Sequence, residues 1–114
     1  MLPEITVETL ATKRENGDSF ILIDVREPHE LETAALPDGF VTAPLSQLAS
    51  VGAQALPDEV TSDQSAEIVV MCHHGGRSAQ VAMWLKQNGW TNVHNLRGGI
   101  HAWSVQIDSD VPMY

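Results

Sequence analysis

Cysteine is nearly absent from this sequence, which has only Cys72 among its 114 residues. A single cysteine excludes an internal disulfide, and a free thiol persists best in a reducing compartment. The first five residues also lack the basic and apolar regions of a secretory signal peptide. From these absences we expect a cytoplasmic protein.

Basic residues are also scarce, because six Lys and Arg stand against 15 Asp and Glu, for a formal net charge of −9 at pH 7. We therefore expect neither nucleic acid nor an anionic membrane as a partner, since both attract basic surfaces. No apolar run in the sequence is long enough to cross a bilayer. Small anions are repelled at long range, whereas partner proteins with basic patches are attracted.

The chain has the length and the 43% hydrophobic content of one ordinary globular domain. It contains no internal repeat, low-complexity segment or interdomain linker. We predict a single domain over residues 1–114, with a core at about residues 5–104 and a tail at 105–114. Three apolar residues are candidates to anchor this tail, namely Val105, Ile107 and Val111.

Short apolar runs alternate with helical patterns along the chain. The runs predict strands at residues 20–25, 40–43, 68–71 and 92–96. Helices are predicted at 7–16, at 45–56, after Cys72 as far as 88, and at about 100–104, with at most one irregular turn at 29–38 and a surface loop at 57–66. The alternation predicts an α/β fold, with a mainly parallel sheet and helices on both faces.

Cys72 directly follows the most apolar of these strands, Ile68-Val-Val-Met71. After it come His73, His74, Gly75, Gly76, Arg77 and Ser78, and then Val81, Trp84 and Leu85 at helical spacing. The thiol therefore lies in a strand-to-helix turn at the carboxyl edge of the sheet, where ligands bind in such folds. The backbone N–H groups of such a turn stabilise anions, a thiolate included.

Three segments resemble the signatures of the rhodanese-like sulfurtransferases, and they occur in the order and spacing of that family. They are Asp24-Val-Arg-Glu-Pro28, Cys72-His-His-Gly-Gly-Arg-Ser78 and Asn95-Leu-Arg-Gly-Gly-Ile-His-Ala-Trp103. The resemblance implies a three-layer fold around a five-stranded parallel sheet, of the single-domain kind. It also implies that Cys72 takes up sulfane sulfur and that residues 73–77 surround it. The chain departs from the family at Ala35-Leu-Pro-Asp-Gly39, where many relatives have Gly-His-Ile-Pro-Gly, so substrate preference does not carry over.

The chemistry expected of this turn is sulfur transfer in two steps. A thiolate attacks the outer sulfur of a thiosulfate-like or persulfide-like donor to give a Cys72 persulfide, and a thiol, cyanide or an acceptor protein then removes the sulfur. Backbone N–H groups stabilise each anionic species, so no general base is required.

Two other functions remain open from the sequence. A sulfur carrier would hold sulfur on Cys72 for a partner protein with little turnover of its own. A cysteine phosphatase or arsenate reductase would use a similar turn for an oxyanion, but the resembling phosphatase loop has five residues between its cysteine and arginine, whereas this chain has four. The shorter loop favours a bowl that holds one sulfur atom.

The remaining residues near the turn have structural interpretations beside the catalytic ones. Arg77 either binds the donor anion or links the loop to an acid such as Asp24 or Glu27. Asp24 and Arg26 are expected to fix the neighbouring strand end, and Gly98 and Gly99 to allow close backbone packing.

For the histidines we expect that His73 and His74 line the mouth of the pocket. Two adjacent histidines point in different directions and give no recognised zinc spacing, so the sequence predicts neither a metal nor another cofactor. His29, His94 and His101 show no chemistry in the sequence. The expected assembly is a monomer or weak homodimer.

Overall fold

A computed structural model describes residues 2–114, which form a five-stranded sheet between two layers of helices. The strands are β1 (Glu4–Ile5), β2 (Ile21–Asp24), β3 (Val41–Thr42), β4 (Ile68–Met71) and β5 (Val93–Leu96). Their order in the sheet is β1-β5-β4-β2-β3, and every pair is parallel. The predicted α/β fold with a parallel sheet and helices on both faces is therefore confirmed.

Six α-helices and a short 3-10 helix (Gly52–Ala55) connect the strands within the described residues. The α-helices are α1 (Val7–Asn16), α2 (Pro28–Thr33), α3 (Leu45–Val51), α4 (Asp58–Thr61), α5 (Gly76–Gln87) and α6 (Gly99–Gln106). Buried side chains of α3, α4 and α5 pack on one face of the sheet, and those of α1 and α6 pack on the other. None of the helices in residues 2–114 combines the length and apolar character needed to cross a bilayer.

Strand β4 lies at the centre of the sheet, between β2 and β5, and its four side chains are 0% exposed. Ile68 and Val70 point into the core beneath α5, whereas Val69 and Met71 point into the core beneath α6. This double burial explains why the sequence reads as a continuous apolar run rather than an alternating pattern. It also places the residue after Met71, Cys72, at the middle of the carboxyl edge.

Helix α1 follows the sequence rules closely. The hydroxyl of Thr6 accepts a hydrogen bond from the amide of Thr9, and Gly17 ends the helix in the left-handed conformation with φ 69°. The predicted boundaries, 7–16, are confirmed because both ends carry capping residues of ordinary type.

Several local predictions are wrong. The predicted loop at 57–66 contains α4, which is present because Val60 is 0% exposed and its carbonyl accepts a hydrogen bond from Trp90 Nε1 at 3.0 Å. The irregular turn predicted within 29–38 is instead a regular helix, α2, which begins at Pro28 and has a reciprocal capping box of Glu27 and Glu30. The helix predicted at 45–56 ends at Val51 and gives way to the 3-10 helix.

The ends of the chain also differ from the prediction. Strand β1 has only two residues, too few for a periodic pattern, so the sequence alone shows four strands. In the tail, Val111 is buried as predicted, but Val105 is 59% exposed and Ile107 is 37% exposed. Of the three predicted anchors, Val111 holds the tail, and its carbonyl also accepts a hydrogen bond from the Ser104 hydroxyl.

Helix α6 approaches the cysteine turn closely at Gly99. The amide of Ile100 donates to the carbonyl of Cys72 at 2.9 Å, and the amide of His101 donates to the carbonyl of His73 at 3.0 Å. A Cβ at Gly99 would overlap the Cys72 carbonyl and lie 2.6 Å from the His73 carbonyl oxygen. The interpretation of Gly99 as a close-packing residue is therefore confirmed.

We predict that Gly99→Ala destabilises the protein more than alanine does at an uncrowded glycine with a similar positive φ. The φ of +59° disfavours alanine by about 1–2 kcal/mol, and the overlap with the two carbonyls adds about 1–3 kcal/mol. Urea unfolding followed by circular dichroism measures the loss. Gly17→Ala is the matched control, because Gly17 has a similar φ of +69° but nothing within 4 Å of the added Cβ. Equal losses in the two variants would show that the α6 contact is not tight.

Candidate active site

The thiol of Cys72 lies at the base of the loop that joins β4 to α5. The residue is 1% exposed, and the amide of Gly75 donates a hydrogen bond to Sγ at 3.1 Å. A main-chain donor this close to sulfur stabilises negative charge on it, whether the species is a thiolate or a persulfide. The turn predicted from the sequence thus places the Gly75 amide against the sulfur.

Gly75 gives the loop its shape. Its φ of 114° lies in the left-handed region, where a side chain is strained, and the residue precedes the first turn of the 12-residue helix α5. The unpaired amides and the positive end of that helix therefore begin three residues after Cys72. Gly76 follows as the first helical residue and has no atom within 4 Å of an added Cβ, so it imposes no such constraint.

Ser78 and Asn95 stabilise the loop through side-chain hydrogen bonds. Ser78 is 0% exposed, and its hydroxyl donates to Asn95 Oδ1 at 2.5 Å. The amide of the Asn95 side chain in turn donates to the carbonyl of Gly75 at 3.1 Å. Asn95 was not singled out as a site residue in the sequence, although a buried amide in an otherwise apolar strand is a signal that could have identified it.

Arg77 points to α2, where its guanidinium forms a two-pronged ion pair with Glu30. Nη1 lies 2.7 Å from Oε2 and Nη2 lies 2.8 Å from Oε1. This pair lowers the pKa of Glu30 from 4.5 to about 2, and the same hydrogen bonds raise the pKa of Arg77 above its usual value. The acid partner is Glu30, and not Asp24 or Glu27 as the sequence suggested.

Asp24 and Arg26 form a second ion pair that is wholly buried, since both side chains are 0% exposed. Arg26 Nη2 lies 2.7 Å from Asp24 Oδ2, and the Arg26 amide donates to Oδ1 at 3.0 Å. Burial lowers the pKa of Arg26, but the hydrogen bonds to Asp24 and Tyr114 outweigh it, so the net shift is upward. These contacts fix the end of β2 beside the loop.

Tyr114 connects the two ion pairs. Its hydroxyl accepts a hydrogen bond from Arg26 Nη1 and donates one to Glu30 Oε1, both at 3.0 Å. Its ring stacks on His73 with centroids 3.8 Å apart and planes 5° from parallel. Burial raises the pKa of the phenol, as does the hydrogen bond to Glu30. Glu30 and Tyr114 were missed in the sequence, because the contact of Glu30 with Arg77 spans 47 positions and Tyr114 reaches His73 from the last position of the chain.

Three histidines meet at the surface of the loop. The rings of His73 and His74 are 4.0 Å apart, so the expectation that adjacent histidines point in different directions is wrong. His101, to which the sequence assigned no chemistry, lies with its ring 4.8 Å from His74 and 6.1 Å from His73. Burial and the neighbouring His74 lower the pKa of His73, although a backbone hydrogen bond with Tyr114 opposes this shift.

The sulfur is contacted by a main-chain amide rather than by a cationic side chain. Both nearby arginines are paired, Arg26 with Asp24 and Arg77 with Glu30. The N–H groups at the start of α5 offer an anion-binding position next to the nucleophilic sulfur. This arrangement suits a covalent transfer through Cys72.

Comparisons with known proteins identify the family of this chain. Residues 6–106 match the family described as Rhodanese-like domain. A protein named sulfurtransferase from Allochromatium vinosum is 33% identical over 91% of this chain and 90% of its own length. The structure of a human single-domain sulfurtransferase superposes with a TM-score of 0.75, at 24% identity, over 93% of this chain and 98% of that one, which supports the fold.

A longer relative is the Rhodanese-like/PpiC domain-containing protein 12, chloroplastic, of Arabidopsis thaliana. It is 43% identical over 97% of this chain, which spans 37% of the length of that relative. The family match covers most of the chain, and the Allochromatium relative matches it nearly end to end. This chain belongs to the rhodanese-like domain family of sulfurtransferases and sulfur carriers.

Proposed function

We propose that this protein is a sulfurtransferase that moves sulfane sulfur from a thiosulfate-like or persulfide-like donor to a thiophilic acceptor through Cys72. The observation that carries the proposal is the enclosed Sγ, which accepts a hydrogen bond at 3.1 Å from the amide of Gly75, the residue directly before helix α5. Membership of the rhodanese-like family supports the same chemistry.

In the first step the Cys72 thiolate attacks the outer sulfur of the donor. A bond forms between the two sulfur atoms while the S–S bond of thiosulfate breaks, and its electron pair leaves with sulfite. In the second step an acceptor thiolate or cyanide attacks the outer sulfur of the persulfide and restores the Cys72 thiolate. The amides of the loop stabilise the anion in each state, so no general base takes part.

The loop residues are proposed to act in different ways. The amides of residues 73–77 bind the anion, and Gly75, with its positive φ, lets the chain turn tightly, whereas Gly76 begins α5. His73 and His74 line the mouth, while Ser78 and Arg77 hold the loop in shape through Asn95 and Glu30. Asp24 and Arg26 support the adjoining strand end. Four residues separate Cys72 from Arg77. A loop of this length fits one bound sulfur atom better than a phosphate group.

A carrier role is the second candidate, favoured by the enclosure of the thiol. At 1% exposure, a persulfide on Cys72 would be shielded from solvent thiols until a partner protein reached the loop. The acidic surface, with its net charge of −9, would attract partners with basic patches.

Three further properties remain predictions. They are a single domain over residues 1–114, a monomeric or weakly dimeric state, and a cytoplasmic location, although the Arabidopsis relative is named as chloroplastic.

Incubation with thiosulfate should add one sulfur atom to the protein, because the loop stabilises the persulfide anion. Intact-mass spectrometry measures the gain, and release of thiocyanate after addition of cyanide measures turnover. Cys72→Ser should show neither, and residual activity in that variant would contradict the mechanism. Sulfur gain without turnover would favour the carrier, whereas no gain from thiosulfate, polysulfide or glutathione persulfide would exclude both sulfur functions.

Arg77→Lys should reduce stability while leaving the KM for thiosulfate nearly unchanged. Lysine cannot form the two-pronged contact with Glu30, so we expect the free energy of unfolding to fall by about 1–2 kcal/mol. Urea unfolding and steady-state kinetics measure the two quantities. Arg97→Lys is the control, because the Arg97 side chain is 68% exposed and its pair with Glu4 contributes little. A KM raised about tenfold with unchanged stability would instead assign Arg77 to the donor anion.

Glu30→Gln should make stability less dependent on pH in acid. The folded state lowers the pKa of Glu30 from 4.5 to about 2, so its stabilising effect is present above about pH 4.5 and is lost as the pH falls through about 2. The wild type should therefore be more stable than Glu30→Gln at neutral pH, and this difference should shrink between pH 4.5 and 2. Urea unfolding across that range tests it, with Glu32→Gln, an exposed residue of the same helix, as control. A difference that stays constant with pH would contradict the assigned pairing.

A further inference from the structure

The three histidines beside the cysteine loop form a compact group of nitrogen donors. His73, His74 and His101 each present a ring nitrogen, and these atoms all lie within 4.8 Å of one another. Zn²⁺ binds imidazole nitrogens at about 2.0–2.1 Å, which places tetrahedral ligand atoms about 3.4 Å apart. Binding of such an ion would draw the three nitrogens closer together than they are in the structure.

The main chain fixes two of these histidines relative to each other. The amide of His101 donates to the carbonyl of His73 at 3.0 Å, and the tight contact of Gly99 with the loop holds α6 in this position. His73 is further oriented by its stack on Tyr114. Histidines that are held on a hydrogen-bonded backbone lose little conformational entropy when they bind an ion. This preorganisation increases the affinity for the ion.

Two nitrogens of the group lack hydrogen-bond partners. His73 Nε2 and His101 Nδ1 are both buried, and neither has a partner among the described residues. Buried polar atoms are normally paired, and those that are not call for an explanation such as an ion. An imidazole nitrogen without a hydrogen-bond partner is available to ligate a metal ion in the appropriate tautomer.

Charge and access also suit a cation. The net charge of −9 attracts divalent cations to the protein surface. His74 is exposed, whereas His73 and His101 are partly buried, so the group is open on one side to solvent. An ion could enter there without disturbance of the core.

From this arrangement we propose that His73, His74 and His101 form a site for a divalent transition-metal ion of the Zn²⁺ class. Three imidazoles leave one position of a tetrahedral ion open to solvent. Imidazole nitrogen suits Zn²⁺, Co²⁺, Ni²⁺ and Cu²⁺ rather than Mg²⁺ or Ca²⁺, which select oxygen ligands. The site shares His73 and His74 with the mouth of the cysteine loop but does not include the Cys72 thiol.

Titration with Co²⁺ followed by visible absorption tests the proposal, with Zn²⁺ added afterwards to displace it. We expect one ion per chain and the ligand-field bands of a nitrogen-coordinated tetrahedral ion. The titration is made on Cys72→Ser as well as on the wild type, and binding should persist in Cys72→Ser because the thiol is not a required ligand.

Substitution of single histidines locates the site. His101→Asn and His74→Asn each remove one of the three proposed ligands. Each should therefore weaken Co²⁺ binding by at least about 10- to 100-fold, which is the loss when a residue that merely orients a metal ligand is replaced. His29→Asn is the matched control, because His29 is exposed on α2 and outside the group, and it should bind as the wild type does. Circular dichroism verifies that each variant is folded.

Three results would overturn the proposal. They are no saturable Co²⁺ or Zn²⁺ binding to the wild type, binding that is lost in Cys72→Ser, and binding that is equal in wild type, His74→Asn and His101→Asn. Because His74 is exposed and its replacement does not threaten the fold, the test remains decisive even if His101→Asn proves unstable.

Discussion

Two main-chain hydrogen bonds, from the amides of Ile100 and His101 to the carbonyls of Cys72 and His73, join the start of α6 to the cysteine loop. They give partners to amides that a helix otherwise leaves unpaired, and α6 has no side-chain cap to do so. They also hold the carbonyls of the loop on its outer side, while the Gly75 amide faces the sulfur. The contact requires a residue without a side chain at position 99, so one glycine determines both where α6 begins and which groups of the loop face Cys72.

A network of ion pairs supports the same loop from the opposite side. The buried Asp24–Arg26 pair and the Arg77–Glu30 pair share a single hydroxyl, that of Tyr114, and the tyrosine ring in turn stacks on His73. Because each guanidinium has a carboxylate partner, the two arginines add little net positive charge to the site. Under the proposed function their contribution is positional, and the main-chain amides bind the anion.

The sequence predicts those parts of the fold and site that depend on neighbours along the chain. Helix α1, with caps at Thr6 and Gly17, and strand β4, with its unbroken apolar run, are examples. The place of Cys72 between β4 and α5 follows from the same local pattern. Features that depend on contacts across the chain were missed. Helix α4 exists because Val60 packs into the core, and Glu30, Asn95, His101 and Tyr114 reach the loop only after folding.

The outer strands of the sheet have a consequence for association between molecules. Strands β1 and β3 lie at the two edges and have only two residues each, so they expose few unpaired backbone groups to a strand from another chain. Growth of the sheet across two copies would gain few hydrogen bonds, and the acidic surfaces would repel one another. The lengths of these edge strands therefore protect the protein from the strand-to-strand aggregation to which parallel sheets with long free edges are prone.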